Sequence, residues 1–253
     1  MLKQERHRRI LESLTNAGSL VAADLPTQLG VSGHTVRRDL EELAEQGFLR
    51  RVHGGAVGRS TVATSYAARE EQSTEGKAAS AAAAITLLEP GQVTILDGGT
   101  TVLQLVDLIP RDHDGTFITH SPLVASALGR RGFADVLLIG GTLDAGAMVA
   151  VGAVTVAAYR GITADTCFLG IWSLHAEAGI TARYHEEAEV RRVLVGRADR
   201  VVGLASQDKL GTVSAFASGP ATALTHLATE PDVDEALLTP FRELGIAIVQ
   251  QPR

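Results

Sequence analysis

Apolar residues recur with a helical period near the start of the chain. Residues 31–43 read V-S-G-H-T-V-R-R-D-L-E-E-L, in which Val36, Leu40 and Leu43 occupy positions i, i+4 and i+7. This spacing predicts a helix with one narrow buried face. Ser32 is a suitable N-cap, because its hydroxyl can accept a hydrogen bond from a free backbone N–H of the first turn.

Two further helices are predicted before this one. The first covers residues 3 to about 16 and carries its apolar residues on one face. The second is short and covers residues 22–29, with Asp24 as its N-cap, so that Pro26 falls in the first turn, where proline is tolerated. Gly30 ends it, and the next helix begins almost at once. Two helices joined so closely predict a helix-turn-helix.

A hairpin is predicted after the third helix. Gly47 ends that helix, and the run F-L-R-R-V-H is followed by Gly54-Gly55 and then by A-V. A Gly-Gly pair between short extended runs is a signal for a tight hairpin. Three helices with such a hairpin form a winged helix, which we expect over residues 1–57. Arg50, Arg51 and His53 would lie on the wing and reach the backbone or the minor groove of DNA.

The remainder of the chain alternates between strands and helices. Residues 58–74 are polar and Ala-rich, and we expect a linker that partly docks on a second domain over residues 75–253. Predicted strands cover 93–96, 116–121, 135–139, 165–169, 200–205 and 246–249, and predicted helices cover 75–88, 100–108, 122–130, 152–160, 185–198 and 232–243, with a turn at 179–181. This alternation predicts an α/β domain with a mostly parallel sheet covered on both faces.

An anion site is predicted directly after the first of these strands. The sequence V-T-I-L-D-G-G-T-T places Gly98 and Gly99 at a tight turn, and Thr100 and Thr101 at the start of a helix. Free N–H groups, close backbone approach and two hydroxyls together make a phosphate cradle. The alternative is an ordinary strand-to-helix turn, and we favour the phosphate site because all three features occur together.

Other polar residues are expected at the same edge of the sheet. Ligands of such sheets bind outside the carboxyl ends of the strands, where His120, Gly141 and Lys209 also fall. Lys209 is one of only three lysines beside 20 arginines, which favours a role as a point charge over simple solvation. His120 could instead cap the following helix.

Charge and composition indicate which classes of protein are compatible with this sequence. The net charge is −6, yet residues 1–59 hold nine Lys and Arg against seven Asp and Glu, which is compatible with phosphate contact. Cys167 is the single cysteine, so no internal disulfide is expected, and it should be buried packing in its apolar strand. No signal peptide, membrane span, metal-ligand spacing or cofactor is indicated. We expect a soluble cytoplasmic protein.

Residues 3 to about 57 resemble a known family. The run S-G-H-T-V-R-R-D-L-E-E-L-A-E-Q-G-F-L-R-R-V-H-G-G-A closely resembles the DNA-binding domain of DeoR-family bacterial transcriptional regulators. The resemblance implies that Thr35, Arg37 and Arg38 lie in the major groove of double-stranded operator DNA. An ordinary surface helix with solvated charges is the alternative. The predicted DNA-binding residues are Ser32, His34, Thr35, Arg37, Arg38, Arg50, Arg51 and His53.

The same resemblance continues less tightly over residues 75–250. D-G-G-T-T is similar to the family's phosphate loop, H-E-E-A-E-V-R-R to its E-E-A-x-V-K-R helix, and D-K-L-G to its S-K-F-G. It implies a Rossmann-like effector domain, similar to ribose-phosphate isomerases and CoA transferases, that senses a phosphorylated sugar. His120, Trp172 and Ser206 depart from the family pattern. The predicted effector-binding residues are Asp97, Gly98, Gly99, Thr100, Thr101, His120, Gly141, Glu187 and Lys209.

Two functions compete at this point. The chain is either a repressor whose second domain reads a phosphorylated sugar, or a sugar-phosphate isomerase or transferase with an accessory DNA-binding domain. An enzyme needs a general base positioned over the substrate carbon. Asp97 or Glu187 could serve as that base. Glu187 could equally form an ion pair on a helix surface. We favour the repressor, and we expect a dimer or tetramer, because two-fold symmetric proteins engage two DNA half-sites.

Overall fold

The computed structural model describes residues 2–17, 19–45, 48–52, 54–59 and 65–251. His53 and the helix end predicted at Gly47 lie outside the described residues, as do residues 60–64. The predicted α/β class with an N-terminal helical domain is confirmed by the order of the elements and by the large parallel sheet.

The winged helix has the predicted elements and one strand more. It consists of α1 (Lys3–Ala17), β1 (Ser19–Val21), α2 (Leu25–Leu29), α3 (Gly33–Glu45), β2 (Leu49–Val52) and β3 (Gly55–Arg59). β2 and β3 pair antiparallel, as predicted. The additional strand, β1, pairs antiparallel with β3. At three residues it is too short to show a period.

The connection between α2 and α3 follows the sequence closely. Asp24 is the N-cap position of α2, but its side chain makes no capping hydrogen bond, and Pro26 lies in the first turn. Gly30 ends the helix in the left-handed region, with φ of 65°. Ser32 Oγ accepts a hydrogen bond from the Thr35 N–H at 3.1 Å, which confirms the predicted cap of α3. Apolar side chains of all three helices form one core beneath it.

The second domain is built on a seven-stranded parallel sheet with the order β16-β15-β12-β9-β4-β5-β6. The strands are β4 (Val93–Leu96), β5 (Thr116–Thr119), β6 (Val136–Leu138), β7 (Thr142–Asp144), β8 (Val149–Val151), β9 (Ala164–Gly170), β10 (Ser173–His175), β11 (Gly179–Ala182), β12 (Ala198–Leu204), β13 (Thr212–Val213), β14 (Phe216–Gly219), β15 (His226–Ala228) and β16 (Ala247–Val249). The helices are α4 (Tyr66–Glu71), α5 (Thr74–Ile85), α6 (Thr100–Leu108), α7 (Pro122–Arg131), α8 (Ala153–Arg160), α9 (His185–Leu194) and α10 (Glu235–Glu243).

Helices cover both faces of this sheet, as predicted. Consecutive strand residues belong to opposite clusters: Ile95 and Cys167 pack with α8, α9 and α10, while Leu96 and Phe168 pack with α5, α6 and α7. This alternation follows from the period of two along a strand. Cys167 is fully buried, as expected.

The structure differs from the sequence predictions in several elements, among them strands that were not predicted: β7, β8, β10, β13, β14 and, in the main sheet, β15. Residues 179–181, predicted as a turn, lie in β11, the middle strand of the antiparallel sheet β10-β11-β14. The helix predicted over 185–198 ends at Leu194. The expected linker contains α4, whose first turn is capped by Ser65 Oγ and which buries Tyr66 and Arg69. Six residues are too few for a helical period to show in the sequence.

The wing and the second domain share a sheet. β13 pairs parallel with β3, with Thr212 opposite Gly58 and Val213 opposite Arg59. The DNA-binding unit is therefore joined to the second domain by backbone pairing as well as by the chain between them.

Candidate DNA interface and effector pocket

The N-terminal half of α3 presents the predicted DNA-contacting residues to solvent. The side chains of Arg37 and Arg38 are 72% and 73% exposed. Each is paired with a glutamate one turn later, Glu41 or Glu42, at 3.3 Å. Exposed pairs of this kind contribute little to stability, so either guanidinium can exchange its partner for a DNA phosphate or base.

A buried ion pair beneath this face holds α1 against α3. Asp39 is 2% exposed, and its two carboxylate oxygens accept hydrogen bonds from Arg6 at 2.7 and 3.0 Å. His7 lies 3.2 Å from the same carboxylate. Arg6 holds the pKa of Asp39 below its usual value in spite of burial. His7, Asp39 and Glu42 lie close enough together to hold a metal ion. However, Lys3 and Arg38 already pair with Glu42, which favours an ion-pair cluster over a metal site.

The wing arginines lie between α3 and the second domain. Arg50 and Arg51 are exposed on β2 and line a cleft between the wing and the second domain. Arg51 also reaches Glu41 of α3 at 2.7 Å. Residues of the second domain close the cleft: Trp172, Arg183, Tyr184, Val213, Ser214 and Ala215. We call this space the wing cleft.

The loop between β4 and α6 has the geometry of an anion cradle. A Cβ at Gly98 would lie 2.1 Å from Cγ1 of Val149, so no side chain fits there. Gly99 has φ of 108° and nothing within 4 Å of the position a Cβ would take, which leaves its backbone open. Thr100 and Thr101 begin α6 and are almost buried.

Two lysines approach this loop. Lys209 is 6% exposed, and its Nζ lies 3.4 Å from Oγ1 of Thr101. Burial lowers the pKa of Lys209 to about 8. Lys77, from α5, is 2% exposed, and burial lowers its pKa as well. Its ammonium donates a hydrogen bond to the backbone carbonyl of Arg69. A bound anion would stabilise the charged form of both lysines.

A buried guanidinium forms the floor beside the loop. Arg191 Nε lies 3.0 Å from Oδ2 of Asp97, and Nη2 lies 3.0 Å from Oε1 of Glu187. The Gly170 N–H also donates to Asp97, at 3.1 Å. Burial raises the pKa of Glu187. Glu187 Oε2 and Arg191 Nη1 are buried without a hydrogen-bond partner among the described residues, so a ligand could supply one to each.

His120 lies behind this floor. Its Nδ1 is 3.0 Å from the hydroxyl of Tyr159, and its Nε2 is 3.5 Å from Oδ1 of Asp97. Burial lowers the pKa of His120 to about 4, so the ring is neutral at ordinary pH. The cap of α7 is Ser121, whose Oγ accepts from the Val124 N–H, so His120 is not the cap.

One wall of the pocket is formed by α4, the helix between the winged helix and the second domain. The guanidinium of Arg69 lies 4.8 Å from the ring of Trp172 and 5.5 Å from the ring of Tyr66. Its Nη2 also donates to the carbonyl of Gly146 at 3.0 Å. These contacts hold α4 against the second domain, with Arg69 and Trp172 both at the pocket.

Six of the nine predicted effector-binding residues meet in this one pocket. We call it the effector pocket, and the six are Gly98, Gly99, Thr100, Thr101, Glu187 and Lys209. Asp97 and His120 do not line it: Asp97 bonds two lining residues, Arg191 and the Gly170 N–H, and His120 lies against Asp97. Gly141 is not brought to it either: a Cβ there would lie 2.0 Å from Oγ1 of Thr155, so its glycine serves packing.

Several further residues line the pocket and were not among the predicted effector-binding residues: Arg69, Gln72, Lys77, Trp172, Arg191 and Asp208. Lys77 could have been found, because the argument from scarce lysines that selected Lys209 applies equally to it. Arg69 carried no signal, since it lies in a stretch without a period. Among the described residues, no helix is long and apolar enough to cross a membrane.

Comparisons with known proteins agree with this architecture. Residues 6–62 match the model of the DeoR-like helix-turn-helix domain, and residues 72–231 match that of the DeoR C terminal sensor domain. The transcriptional regulator GlpR of Haloferax volcanii is 33% identical over 251 residues, which is 98% of each chain. The glycerol-3-phosphate regulon repressor of Haemophilus influenzae is 26% identical over 98% of this chain and 97% of its own.

Solved structures that align with part of this chain include a ribose 5-phosphate isomerase. Ribose 5-phosphate isomerase A of Methanocaldococcus jannaschii aligns with 53% of this chain and 52% of its own at 13% identity, with a TM-score of 0.39. The family models cover both domains, and GlpR matches almost the whole chain. The protein therefore belongs to the DeoR family of helix-turn-helix transcriptional regulators, and it is a DNA-binding regulator of transcription.

Proposed function

We propose that this regulator represses carbohydrate-metabolism genes and that a phosphorylated sugar in the effector pocket sets its affinity for operator DNA. The observation that carries the proposal is the meeting of an open glycine loop, two threonines and two buried lysines in one pocket. That pocket belongs to the same chain as a winged helix with exposed arginines.

The phosphate end of the ligand would lie on the loop. A dianion there gains the free N–H groups at the start of α6, the hydroxyls of Thr100 and Thr101, and the positive end of the helix dipole. Lys77 and Lys209 supply charge at the same place. An uncharged sugar gains none of the charge-dependent contributions, so the pocket favours a phosphorylated ligand.

The sugar end would lie on the buried floor. Glu187 Oε2 can accept a hydrogen bond and Arg191 Nη1 can donate one, and both lack a partner among the described residues. A sugar hydroxyl both donates and accepts, so it satisfies such a pair. The name of the relative from Haemophilus influenzae, which mentions glycerol 3-phosphate, supports a small phosphorylated polyol or sugar.

The DNA partner would be read by α3 in the major groove, with Arg37 and Arg38 toward bases and phosphates. We expect a dimer or tetramer assembled mainly through residues 75–253, because two recognition helices related by a two-fold axis engage two half-sites. Sedimentation that gives a monomer with full affinity for DNA would contradict this part of the proposal.

An isomerase or transferase is the second candidate. It is favoured by Glu187, a carboxylate at the pocket whose pKa is raised by burial, as a general base requires. Against it, the two candidate bases Asp97 and Glu187 are both held by Arg191. Incubation of the protein with sugar phosphates, followed by NMR of the products, separates the two: turnover favours the enzyme, and binding without turnover favours the regulator.

A thermal-shift screen tests the proposed ligand class. The panel contains glycerol 3-phosphate, fructose 1-phosphate, fructose 6-phosphate, glucose 6-phosphate and the corresponding unphosphorylated compounds. A ligand that binds only the folded state raises the Tm by mass action. We expect at least one phosphorylated compound to raise the Tm and its unphosphorylated counterpart to leave it unchanged. Equal effects of the two sets would contradict a phosphate site.

A further inference from the structure

One short segment connects the effector pocket with the wing. Lys209 lies at the pocket, and three residues later β13 pairs with β3. We propose that a ligand engaging Lys209 shifts or opens the β3–β13 pairing and thereby changes the position of the winged helix. This inference rests on the proposed function and names the structural joint through which it is carried out.

At its pocket end the segment is anchored by a weak and adjustable contact. Lys209 Nζ meets Oγ1 of Thr101 at 3.4 Å, which is long for a hydrogen bond. Asp208 also faces the pocket and accepts from Gln72 Nε2 at 3.2 Å. A phosphate on the loop offers Lys209 a fully charged partner, so the ammonium will turn from the hydroxyl to the ligand.

Between its two ends the segment is tightly hydrogen-bonded. The Lys209 N–H donates to the carbonyl of Ser206 at 3.0 Å, and its own carbonyl accepts from Oγ1 of Thr212 at 2.8 Å. Gly211 has φ of 67°, which turns the chain toward the wing. Because Thr212 is bonded directly to the backbone of Lys209, a displacement of the lysine is passed to the first residue of β13.

At its wing end the segment meets β3 over two residue pairs. β3 is also paired with β1 over residues 55–57 and with β2 over residues 55–58, and both of these strands belong to the winged helix itself. Among the described residues, the link to β13 is the shortest pairing of β3, with two residue pairs against three to β1 and four to β2, and it can change without disrupting the fold of the winged helix.

Trp172 provides a second connection between the effector pocket and the wing, next to the β3–β13 pairing. Trp172 lines both the effector pocket and the wing cleft. Val213 of β13 lines the same cleft, together with Arg50 and Arg51 of the wing. A change at the β3–β13 pairing thus alters the cleft in which the wing arginines lie.

A disulfide across the joint provides the test. A Cβ at Gly58 would lie 3.7 Å from Cγ2 of Thr212, so Gly58→Cys with Thr212→Cys places two thiols opposite each other. The single native cysteine, Cys167, is fully buried and does not compete. The matched control is His226→Cys with Ala247→Cys, which are also opposite each other in a parallel pair, at the far edge of the main sheet.

The readout is binding of DNA that the wild-type chain has selected in vitro from random sequences, with and without the sugar-phosphate panel above. We expect the ligand-induced change in DNA affinity, for which about 5–150-fold is typical of such coupling, to fall below about twofold in the oxidised Gly58/Thr212 variant. Reduction should restore it to the level of the single variant Thr212→Cys, which also lacks the hydroxyl that bonds the Lys209 carbonyl, and the control should respond in both redox states. A full response of the oxidised joint variant would overturn the inference.

Hydrogen exchange keeps the inference testable if the double variant does not fold. The wild-type chain is compared in inorganic phosphate and in chloride of equal ionic strength. We expect slower exchange at the start of α6 and faster exchange at residues 57–59 and 212–213. Slower exchange at α6 with no change at the joint overturns the inference and leaves the proposed function standing. No protection at α6 and no response of the wild type to the panel would instead count against the proposed function.

Discussion

The DNA face and the effector pocket both use arginines paired with carboxylates, but they place them in opposite environments. On α3 the guanidinium groups of Arg37 and Arg38 are nearly three-quarters exposed. In the pocket, Arg191 is 5% exposed and bonded to two buried carboxylates. An exposed pair is screened by water and salt, whereas a buried one is not.

This difference in exposure suits the two regions to different functions. Breaking an exposed ion pair costs little free energy, so the arginines of α3 can leave their glutamates when they meet DNA phosphates. Breaking the buried network costs several kcal/mol, so the pocket floor keeps its geometry while ligands bind and dissociate. We therefore expect substitutions on the DNA face to change binding alone, and substitutions in the floor to change folding as well.

The largest expected effect is that of Arg191→Met on stability. Loss of one partner leaves Asp97 and Glu187 buried without their cation, which should cost about 3–5 kcal/mol of the free energy of unfolding. Denaturant titration measures it. The control is Arg192→Met, because the neighbouring arginine is half-exposed and pairs with Glu189, and its loss should cost at most about 1 kcal/mol. Equal costs would remove the contrast between the two environments.

The next effect is that of Arg38→Ala on DNA binding. Loss of a direct base contact should weaken operator binding by about 1–3 kcal/mol, while denaturant titration shows unchanged stability. Arg9→Ala is the control, since Arg9 is a similarly exposed arginine of α1 in an ion pair with Glu5. A gel-shift titration in which Arg38→Ala binds like the wild type would show that α3 is not the reading helix.

Removal of the pocket hydroxyls should have a comparable or smaller effect. In Thr100→Ala with Thr101→Ala, two hydrogen bonds to the ligand are lost, each worth about 0.5–1.5 kcal/mol. Calorimetry should show weaker sugar-phosphate binding with unchanged operator affinity in the absence of ligand. Thr239→Ala serves as control, because that hydroxyl bonds a helix carbonyl of α10. Unchanged ligand affinity in the double variant would contradict the phosphate loop.

The smallest effect concerns pH. Burial lowers the pKa of Lys209 to about 8, so the free pocket loses this charge as pH rises through that value. A bound dianion favours the protonated lysine, so binding takes up a proton above pH 8, and affinity should fall by up to about tenfold per pH unit. Lys209→Met should bind more weakly at pH 7.5 and show a flatter profile. A wild-type affinity that stays constant to pH 9.5 would contradict the role of Lys209.

The two regions also differ in how far they could be predicted from the sequence. The DNA-binding unit is local: the period of Val36, Leu40 and Leu43 and the cap at Ser32 define α3 without knowledge of the rest of the chain. The phosphate loop is local in the same way, since two glycines and two threonines are adjacent.

The remainder of the pocket depends on contacts between distant residues. Arg69 reaches Trp172 from a helix of six residues, and Arg191 meets Asp97 across 94 positions. The β3–β13 pairing involves two residues of each strand, which leave no period to recognise. No local pattern encodes such contacts, because they arise only when the sheet and its helices are assembled.

The central claim is that the effector pocket and the DNA face are coupled. Calorimetric titration of the sugar phosphate into the wild-type protein, with and without saturating operator DNA, tests it most directly. Coupling between two binding sites is reciprocal, so operator DNA must change effector affinity by the same factor as effector changes operator affinity. We expect unequal effector affinities in the two titrations. Equal affinities would contradict the coupling, even if the pocket binds a sugar phosphate.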